Sequence, residues 1–162
     1  MSCIISVKDS LYNEGDRYDF EADVSFEPVS YMGAVSFKNA KATGFYFADG
    51  KNVRFSGKID VDCVFECDRC LKEFEKSFTF SFSEMFSHSS EEENLVISRN
   101  DTVDIQPLLF DTVLSALPIE RLCKEDCKGL CQHCGIDKNF SSCSCTDGDE
   151  DNPFAVLRGL VD

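Results

Sequence analysis

The chain has 162 residues, enough for one domain with an apolar core, or for a core domain with a small satellite module, but not for two full-sized domains. It carries 16 Lys and Arg against 30 Asp and Glu, a formal net charge of −14, which disfavours binding to bare nucleic acid or anionic lipid. The N-terminus has no basic segment followed by an apolar one, and no stretch approaches the ~18 apolar residues of a membrane span. We therefore expect a cytoplasmic protein.

Strands are predicted in the first half of the chain, where apolar and polar residues alternate with period two. The pattern occurs at 20–27, 59–66 and 74–82. Asp49-Gly50 lies between two further alternating arms and predicts a hairpin turn with Gly as its second residue. We interpret residues 17–86, to within a few positions, as an antiparallel β-meander forming a barrel-like sheet.

The next segment, 87–102, loses this periodicity and gathers charge, which predicts an exposed acidic loop. Apolar residues then recur at spacings of three and four, which predicts a helix over about 104–117 that covers the sheet. Its apolar stripe comprises Ile105, Leu108, Leu109, Val113, Ala116 and Leu117. Asp104 suits the N-cap, Pro107 fits the first turn, and Pro118 ends the helix.

Ten cysteines are unusual for a reducing compartment, where structural disulfides are rare. Eight of them form four close pairs: Cys67 and Cys70, Cys123 and Cys127, Cys131 and Cys134, Cys143 and Cys145. Two thiolates a few residues apart on a turn can bind one tetrahedral zinc ion, and two such pairs complete its coordination. The sequence therefore predicts one or two structural Zn²⁺ ions.

The pairing of these cysteines is better defined for one site than for the other. The first predicted site is the compact quartet Cys131, Cys134, Cys143 and Cys145. Here Gly135 follows the second cysteine and can adopt the positive φ of a turn. The second predicted site is Cys67, Cys70, Cys123 and Cys127, which requires distant segments to meet. Zinc could also use Cys127 there without Cys123.

Other uses of the cysteines remain open at this stage. The eight could be plain thiols or take part in disulfide or redox chemistry, with Arg69 lowering a thiol pKa in the Cys67–Cys70 motif. Redox motifs of this kind usually lie where a strand enters a helix, whereas this one lies between strands. Cys3 and Cys63 are best interpreted as free buried thiols, and His133 is a weak candidate ligand because four sulfurs already suffice.

The expected fold class is α+β: an antiparallel meander or barrel-like sheet packed by one or two helices, with a small Cys-rich zinc module near the C-terminus. We expect a β-rich core domain at 1–118 and the zinc module at 119–162. The latter ends in a short helix over about 153–161, because Asn152 suits its N-cap and Pro153 its first position. Phosphate-binding loops, zinc-protease motifs and serine nucleophile motifs are absent from the sequence, so we expect no enzyme.

Three stretches occur in an order that is hard to obtain by chance. They are Cys67-Asp68-Arg69-Cys70-Leu71 before a Phe-rich strand, Ala116-Leu117-Pro118 leading into the run Cys123 to Gly135, and the closing run Asp151 to Leu157. Together they resemble the YceD family, bacterial proteins named for large ribosomal RNA subunit accumulation. The resemblance implies a role in the synthesis, processing or stability of large-subunit (23S) ribosomal RNA, without a defined catalytic activity.

We therefore expect a zinc-binding, non-enzymatic factor in ribosome biogenesis. Its expected partner is a ribosomal protein, an assembly factor or a large-subunit rRNA precursor, with no membrane and no small-molecule substrate involved. A basic protein would complement the acidic surface. The alternative is direct RNA binding by the zinc module, with Lys124, Lys128 and Lys138 as weak candidates for phosphate contacts.

Overall fold

The structure is a computed structural model that describes residues 2–29, 35–89 and 95–145. In chain order its elements are β1 (Ile4–Ser6), α1 (Lys8–Tyr12), β2 (Tyr18–Val24), β3 (Val35–Asp49), β4 (Asn52–Glu66), β5 (Glu73–Phe86), β6 (Thr102–Asp104) and α2 (Gln106–Ala116). The helix predicted over 153–161 lies outside the described residues, as does the acidic run 91–93.

Four of these strands form an antiparallel sheet in the order β2-β3-β4-β5, and β1 pairs separately with β6. Each strand of the larger sheet pairs with its neighbour in sequence, so the predicted meander is confirmed. The barrel-like closure is not confirmed. In the part of the chain that the structure describes, the sheet is open, with β2 and β5 at its edges.

The hairpin turn between β3 and β4 differs from the prediction by one residue. Asp49 pairs with Asn52, so the two loop residues are Gly50 and Lys51, and glycine is the first of them. Gly50 has φ +63°, and Lys51 has no positive φ. A two-residue turn with a positive φ only at its first position matches the right-handed twist of the strands. Because Gly50 occupies that first position, Asp49 is the last paired residue of β3.

The core lies on one face of the sheet, beneath α2. Every second residue of β4 is buried, apart from a central glycine: Val53, Phe55, Ile59, Val61, Cys63 and Phe65. That glycine, Gly57, pairs with Gly44 on β3, and a Cβ on either residue would lie 2.8 Å from the Cα of the other. The glycine pair therefore allows the two strands to approach closely. Helix α2 buries Leu108, Leu109 and Val113 in this core, whereas the predicted stripe residue Ala116 is exposed.

The start of α2 depends on a side chain just outside the helix. One carboxylate oxygen of Asp104 accepts hydrogen bonds from the backbone N–H of Gln106 at 3.1 Å and of Cys3 at 3.0 Å. Asp104 therefore caps the helix, although Ile105 is the N-cap residue by backbone geometry. Within the predicted acidic loop, Ile97 is buried in the core and is not exposed. Neither helix in the described ranges is long and apolar enough to cross a membrane.

Candidate metal centres

A tight turn that we call knuckle 1, Cys67 to Lys72, connects β4 to β5. Two backbone hydrogen bonds close it: the Cys67 N–H donates to the Lys72 carbonyl oxygen, and the Leu71 N–H donates to the Cys67 carbonyl oxygen, both at 2.9 Å. The residue after the second cysteine, Leu71, has φ +58°. Knuckle 1 thus holds Cys67 and Cys70 on a tight turn that ends with Leu71 in the left-handed backbone conformation.

A second turn, which we call knuckle 2, spans Cys131 to Ile136 and repeats this backbone pattern. The Cys131 N–H donates to the Ile136 carbonyl oxygen at 2.8 Å, and the Gly135 N–H donates to the Cys131 carbonyl oxygen at 2.9 Å. Gly135 has φ +72°, as its position after a cysteine pair predicted. The two knuckles share one backbone conformation but have different residues, Leu71 and Gly135, at the left-handed position.

The structure brings the cysteines of knuckle 1 together with Cys123 and Cys127, and we call this quartet the buried centre. Its four sulfur atoms all lie within 4.8 Å of one another. The Cys67 and Cys127 sulfurs are 3.8 Å apart, and the Cys70 and Cys123 sulfurs are 3.7 Å apart. A tetrahedral zinc ion ~2.3 Å from each sulfur requires sulfur–sulfur distances of ~3.8 Å, whereas a disulfide requires ~2.0 Å. The spacing therefore fits a metal ion and does not fit disulfides.

Burial makes this centre an extension of the sheet's core. Cys67, Cys70 and Cys127 are at most 4% exposed. Phe74, Leu122 and Leu130 pack against them. The ring of Phe74 also lies 5.6 Å from the ring of the core residue Phe65, measured between centroids. A metal ion bound here would join the cysteine-rich segment directly to the end of the β4–β5 hairpin.

Polar contacts hold the distant segment against knuckle 1. Asp68 and Arg121 bind each other reciprocally: the Asp68 N–H donates to the Arg121 carbonyl oxygen at 2.9 Å, and the Arg121 N–H donates to the Asp68 carboxylate at 2.7 Å. Arg69 donates to the carbonyl oxygen of Cys127 at 3.1 Å and pairs with Glu120 at 2.9 Å. Sequence analysis did not find these contacts. Both segments carry charged residues of both signs, but the sequence does not show which of them pair.

The structure also brings together Cys131, Cys134, Cys143 and Cys145, and we call this quartet the exposed centre. Its four sulfurs lie within 4.8 Å of one another. Cys131 is buried, Cys143 is partly buried, and Cys134 and Cys145 are exposed. Both quartets could therefore hold a metal ion, but two cysteines are exposed in the exposed centre, whereas in the buried centre three are buried and Cys123 is partly buried. That these eight residues are ligands stays a prediction.

Two polar side chains connect the centres. The Asn139 amide donates to the Cys127 sulfur at 3.5 Å and accepts from the Lys128 N–H at 3.0 Å. Asp137 accepts from the Asn139 N–H at 2.9 Å and forms an ion pair with Lys72 of knuckle 1 at 2.8 Å. The hydrogen bond from Lys72, together with that from the Asn139 N–H, lowers the pKa of Asp137 to about 2. Sequence analysis missed this link, although Asp-x-Asn is a common turn-forming pattern.

The backbone between the centres contacts knuckle 1 as well. Gly129 has φ +68°, and a Cβ there would lie 2.7 Å from the Arg69 carbonyl oxygen. That same oxygen accepts a hydrogen bond from the Leu130 N–H at 2.9 Å. Glycine is therefore required at position 129 both for its φ and for the close approach of the two chains.

The electrostatics of each quartet favour a bound cation. Burial opposes ionisation of Cys67, but hydrogen bonds from the backbone N–H groups of Cys123, Arg69 and Cys70 outweigh it and lower its pKa to about 6. In the same quartet, burial foremost raises the pKa of Cys123 to about 12. Without a metal ion, one sulfur ionises readily and its neighbour resists. A divalent cation is what allows four thiolates to lie this close together.

In the exposed centre, too, one thiol has a lowered pKa and another has a raised pKa. Hydrogen bonds from the backbone N–H groups of Cys134 and His133 lower the pKa of Cys131 to about 6. The hydrogen bond with the Cys134 side chain raises the pKa of Cys145 to about 12. The imidazole of His133 is not part of either quartet.

The remaining candidates lie outside the quartets. Cys63 is buried on the core face of β4, and burial raises its pKa to about 11. Cys3 is partly buried. Among the lysines proposed for RNA contacts, Lys124 lies 3.6 Å from the carboxylate of Asp126, and Lys128 and Lys138 are exposed.

An antiparallel meander with two tetracysteine centres beside its β4–β5 hairpin defines the class: a small β-sheet protein with two all-sulfur quartets that could each hold a metal ion. The sequence profile of the family described as "Large ribosomal RNA subunit accumulation protein YceD" matches residues 55–161. The chain belongs to this family, and the resemblance seen in the sequence is confirmed.

Similar proteins occur in mycobacteria. Uncharacterized proteins of Mycobacterium bovis and Mycobacterium tuberculosis are 28% identical to the chain over 93 residues, which cover 53% of this chain and 45% of each relative. An uncharacterized protein of Mycobacterium leprae is 27% identical over 92 residues, 52% of this chain and 42% of its own length. The chain thus spans less than half the length of these relatives. No solved structure matches it significantly.

Proposed function

We propose that this protein is a zinc-binding, non-enzymatic cytoplasmic factor in ribosome biogenesis. It is needed for the synthesis, processing or stability of large-subunit (23S) ribosomal RNA, and it acts through a protein partner. The observation that carries this proposal is the family match, which begins within β4 and extends through both knuckles. The part of the fold that bears the two quartets is therefore the part shared with proteins of large-subunit rRNA accumulation.

Zinc is the metal that the donor sets favour. Each quartet offers four sulfur atoms within 4.8 Å of one another, and soft sulfur ligands select zinc over magnesium or calcium. Four protein ligands also leave no open position for water or substrate, which is the arrangement of a structural ion. This supports a role for the metal in folding and presentation of a surface, and not in hydrolysis.

A protein partner is favoured over RNA by charge. The net charge of −14 attracts a basic ribosomal protein and opposes a phosphate backbone. Direct RNA binding remains the second candidate because Lys128 and Lys138 are exposed beside the exposed centre. A gel shift with large-subunit rRNA fragments separates the two. Binding that disappears when Lys124, Lys128 and Lys138 are all replaced by Ala supports direct phosphate contacts, whereas no binding by the wild type supports the protein partner.

The proposed function is tested by deleting the gene in the source cell and measuring the ratio of mature 23S to 16S rRNA. We expect the ratio to fall, and to recover when the wild-type gene is restored. A Cys127→Ser gene should fail to restore it, whereas a gene with Cys3→Ser, a change outside both quartets, should succeed. An unchanged ratio after deletion contradicts the proposal.

A further inference from the structure

Leu71 in knuckle 1 has an unfavourable position in the isolated protein. Its φ of +58° lies in the left-handed region, which costs a leucine about 1 kcal/mol relative to glycine. The residue is 57% exposed, so little burial offsets that cost. Knuckle 2 has the same backbone hydrogen bonds and carries glycine at the equivalent position, Gly135. The knuckle backbone therefore does not require a leucine, and folding of this chain gains little from it.

A second unfavourable feature lies directly beside it. Glu66, the last residue of β4, pairs with Glu73, the first residue of β5, and both are exposed. Like charges directly opposite one another destabilise an antiparallel pair. In the described ranges of the chain, neither glutamate forms an ion pair or a side-chain hydrogen bond. The nearby Lys38 attracts Glu73, but it forms its ion pair with Glu75, at 2.6 Å. The end of the hairpin thus presents an exposed leucine two residues from a pair of exposed, only partly compensated negative charges.

We infer that Glu66, Leu71 and Glu73 form the docking surface for the protein partner, and that this partner is a ribosomal protein with an apolar pocket next to a Lys or Arg side chain. The inference rests on the proposed function and names its surface. One such partner would bury the exposed leucine side chain and neutralise both glutamates in a single contact. The same glutamates repel the phosphates of RNA.

The buried centre holds this surface in place. Leu71 follows Cys70 directly, and Asp68 in the same knuckle is bound on both sides by Arg121. An anchor side chain on a rigid turn loses little conformational freedom when it binds. The metal ion is therefore expected to preorganise the docking surface without contacting the partner.

The test uses the full-length, metal-loaded protein and two defined probes: individually purified large-subunit ribosomal proteins, and large-subunit rRNA freed of protein. Variants are Leu71→Asn and the double variant Glu66→Gln with Glu73→Gln. Asn adopts a positive φ more readily than Leu, so the first change removes the apolar anchor while sparing the knuckle. Ile4→Ser is the matched control, because Ile4 is 64% exposed but lies on β1.

We expect at least one ribosomal protein to bind the wild type, and Leu71→Asn to weaken that binding at least about tenfold. The glutamate variant should weaken it and reduce its dependence on salt. Metal content should stay the same in all variants, and Ile4→Ser should bind like the wild type. The melting temperature should not fall in Leu71→Asn or in the glutamate variant, because each removes a feature that is unfavourable in the isolated protein. Binding unaffected by either variant overturns the docking surface but leaves the proposed function intact. Binding to rRNA alone, or to neither probe, overturns the partner class as well.

Discussion

The two cysteine quartets have the same number of sulfurs and the same knuckle backbone, yet they differ in their surroundings. Three of four cysteines in the buried centre are at most 4% exposed and adjoin the sheet's core, whereas Cys134 and Cys145 of the exposed centre face solvent. The number of ligands alone therefore does not determine how much a metal site contributes to the stability of the fold. A metal ion bound in the buried centre would replace core packing at the end of a sheet, and one bound in the exposed centre would order mainly its own loop.

The largest expected effect comes from removing one ligand of each centre. Cys127→Ser should abolish metal binding at the buried centre and lower the free energy of unfolding by more than about 4 kcal/mol, because it also removes a sulfur from packed surroundings. Cys134→Ser should remove one metal ion but lower the melting temperature of the sheet by only a few degrees. Urea and thermal unfolding followed by far-UV circular dichroism measure both effects.

Cys3→Ser is the control for this pair, since Cys3 belongs to neither quartet. It should leave the metal content unchanged. Equal destabilisation by Cys127→Ser and Cys134→Ser would mean that burial does not separate the two centres.

Gly129 and Gly135 provide the next comparison. Both have a positive φ, but only at Gly129 would an added Cβ lie close to other backbone atoms. Gly129→Ala should cost about 2–4 kcal/mol of folding free energy, since its Cβ would meet the backbone of Arg69 at the junction with knuckle 1. Gly135→Ala should cost only about 1 kcal/mol, since among the described residues, its two chain neighbours apart, none has an atom within 4 Å of the Cβ position. Chemical denaturation of the metal-loaded proteins gives the two values. A cost at Gly135 equal to that at Gly129 would contradict the tight junction between the centres.

A smaller effect is expected from the hydrogen bond that connects the centres. Asn139→Ala removes the donor to the Cys127 sulfur, and loss of such an outer contact typically weakens metal affinity about tenfold or more. The loss should appear at the buried centre, although Asn139 lies in the loop of the exposed one. Competition with a chromophoric chelator measures the affinity. Lys138→Ala is the neighbouring control, and equal affinities of the two variants would argue against the link.

The β-sheet was largely predictable from sequence because its strands bury one face, which imposes alternation on residues such as Val61 and Phe65. The open sheet was not, since the same alternation occurs in open and closed sheets. The observed turn lies one residue later than the predicted one, because Asp49 can either pair in the β-ladder or begin the loop. The quartet at 131–145 follows from local spacing alone. The buried quartet was harder to predict, because its two halves are joined by contacts such as Asp68–Arg121 across more than fifty positions of sequence.

Other features had no sequence signal that could be interpreted. A leucine after a cysteine pair looks like an ordinary apolar residue, and only the structure shows that Leu71 has a positive φ and is exposed. Ile97 lies in a charged segment, so its burial depends on how the segment packs and not on its composition. The domain division at residue 118 stays a prediction.

The smallest effect is expected at Cys63, the buried cysteine outside both centres. Cys63→Val should change the free energy of unfolding by less than about 1.5 kcal/mol and leave metal content unchanged, since the two side chains have similar volumes. Because burial raises its thiol pKa to about 11, Cys63 should also resist iodoacetamide in the folded protein. Mass spectrometry after labelling detects this. Rapid labelling of Cys63 would show that the β4 core face is open to solvent.

The most direct measurement is the metal content of the freshly purified, full-length protein by native mass spectrometry. We predict two zinc ions per chain, falling to one in either Cys127→Ser or Cys134→Ser. A chain that carries no stoichiometric metal, and whose melting temperature is unchanged by a strong chelator, would contradict the assignment of both quartets as metal centres.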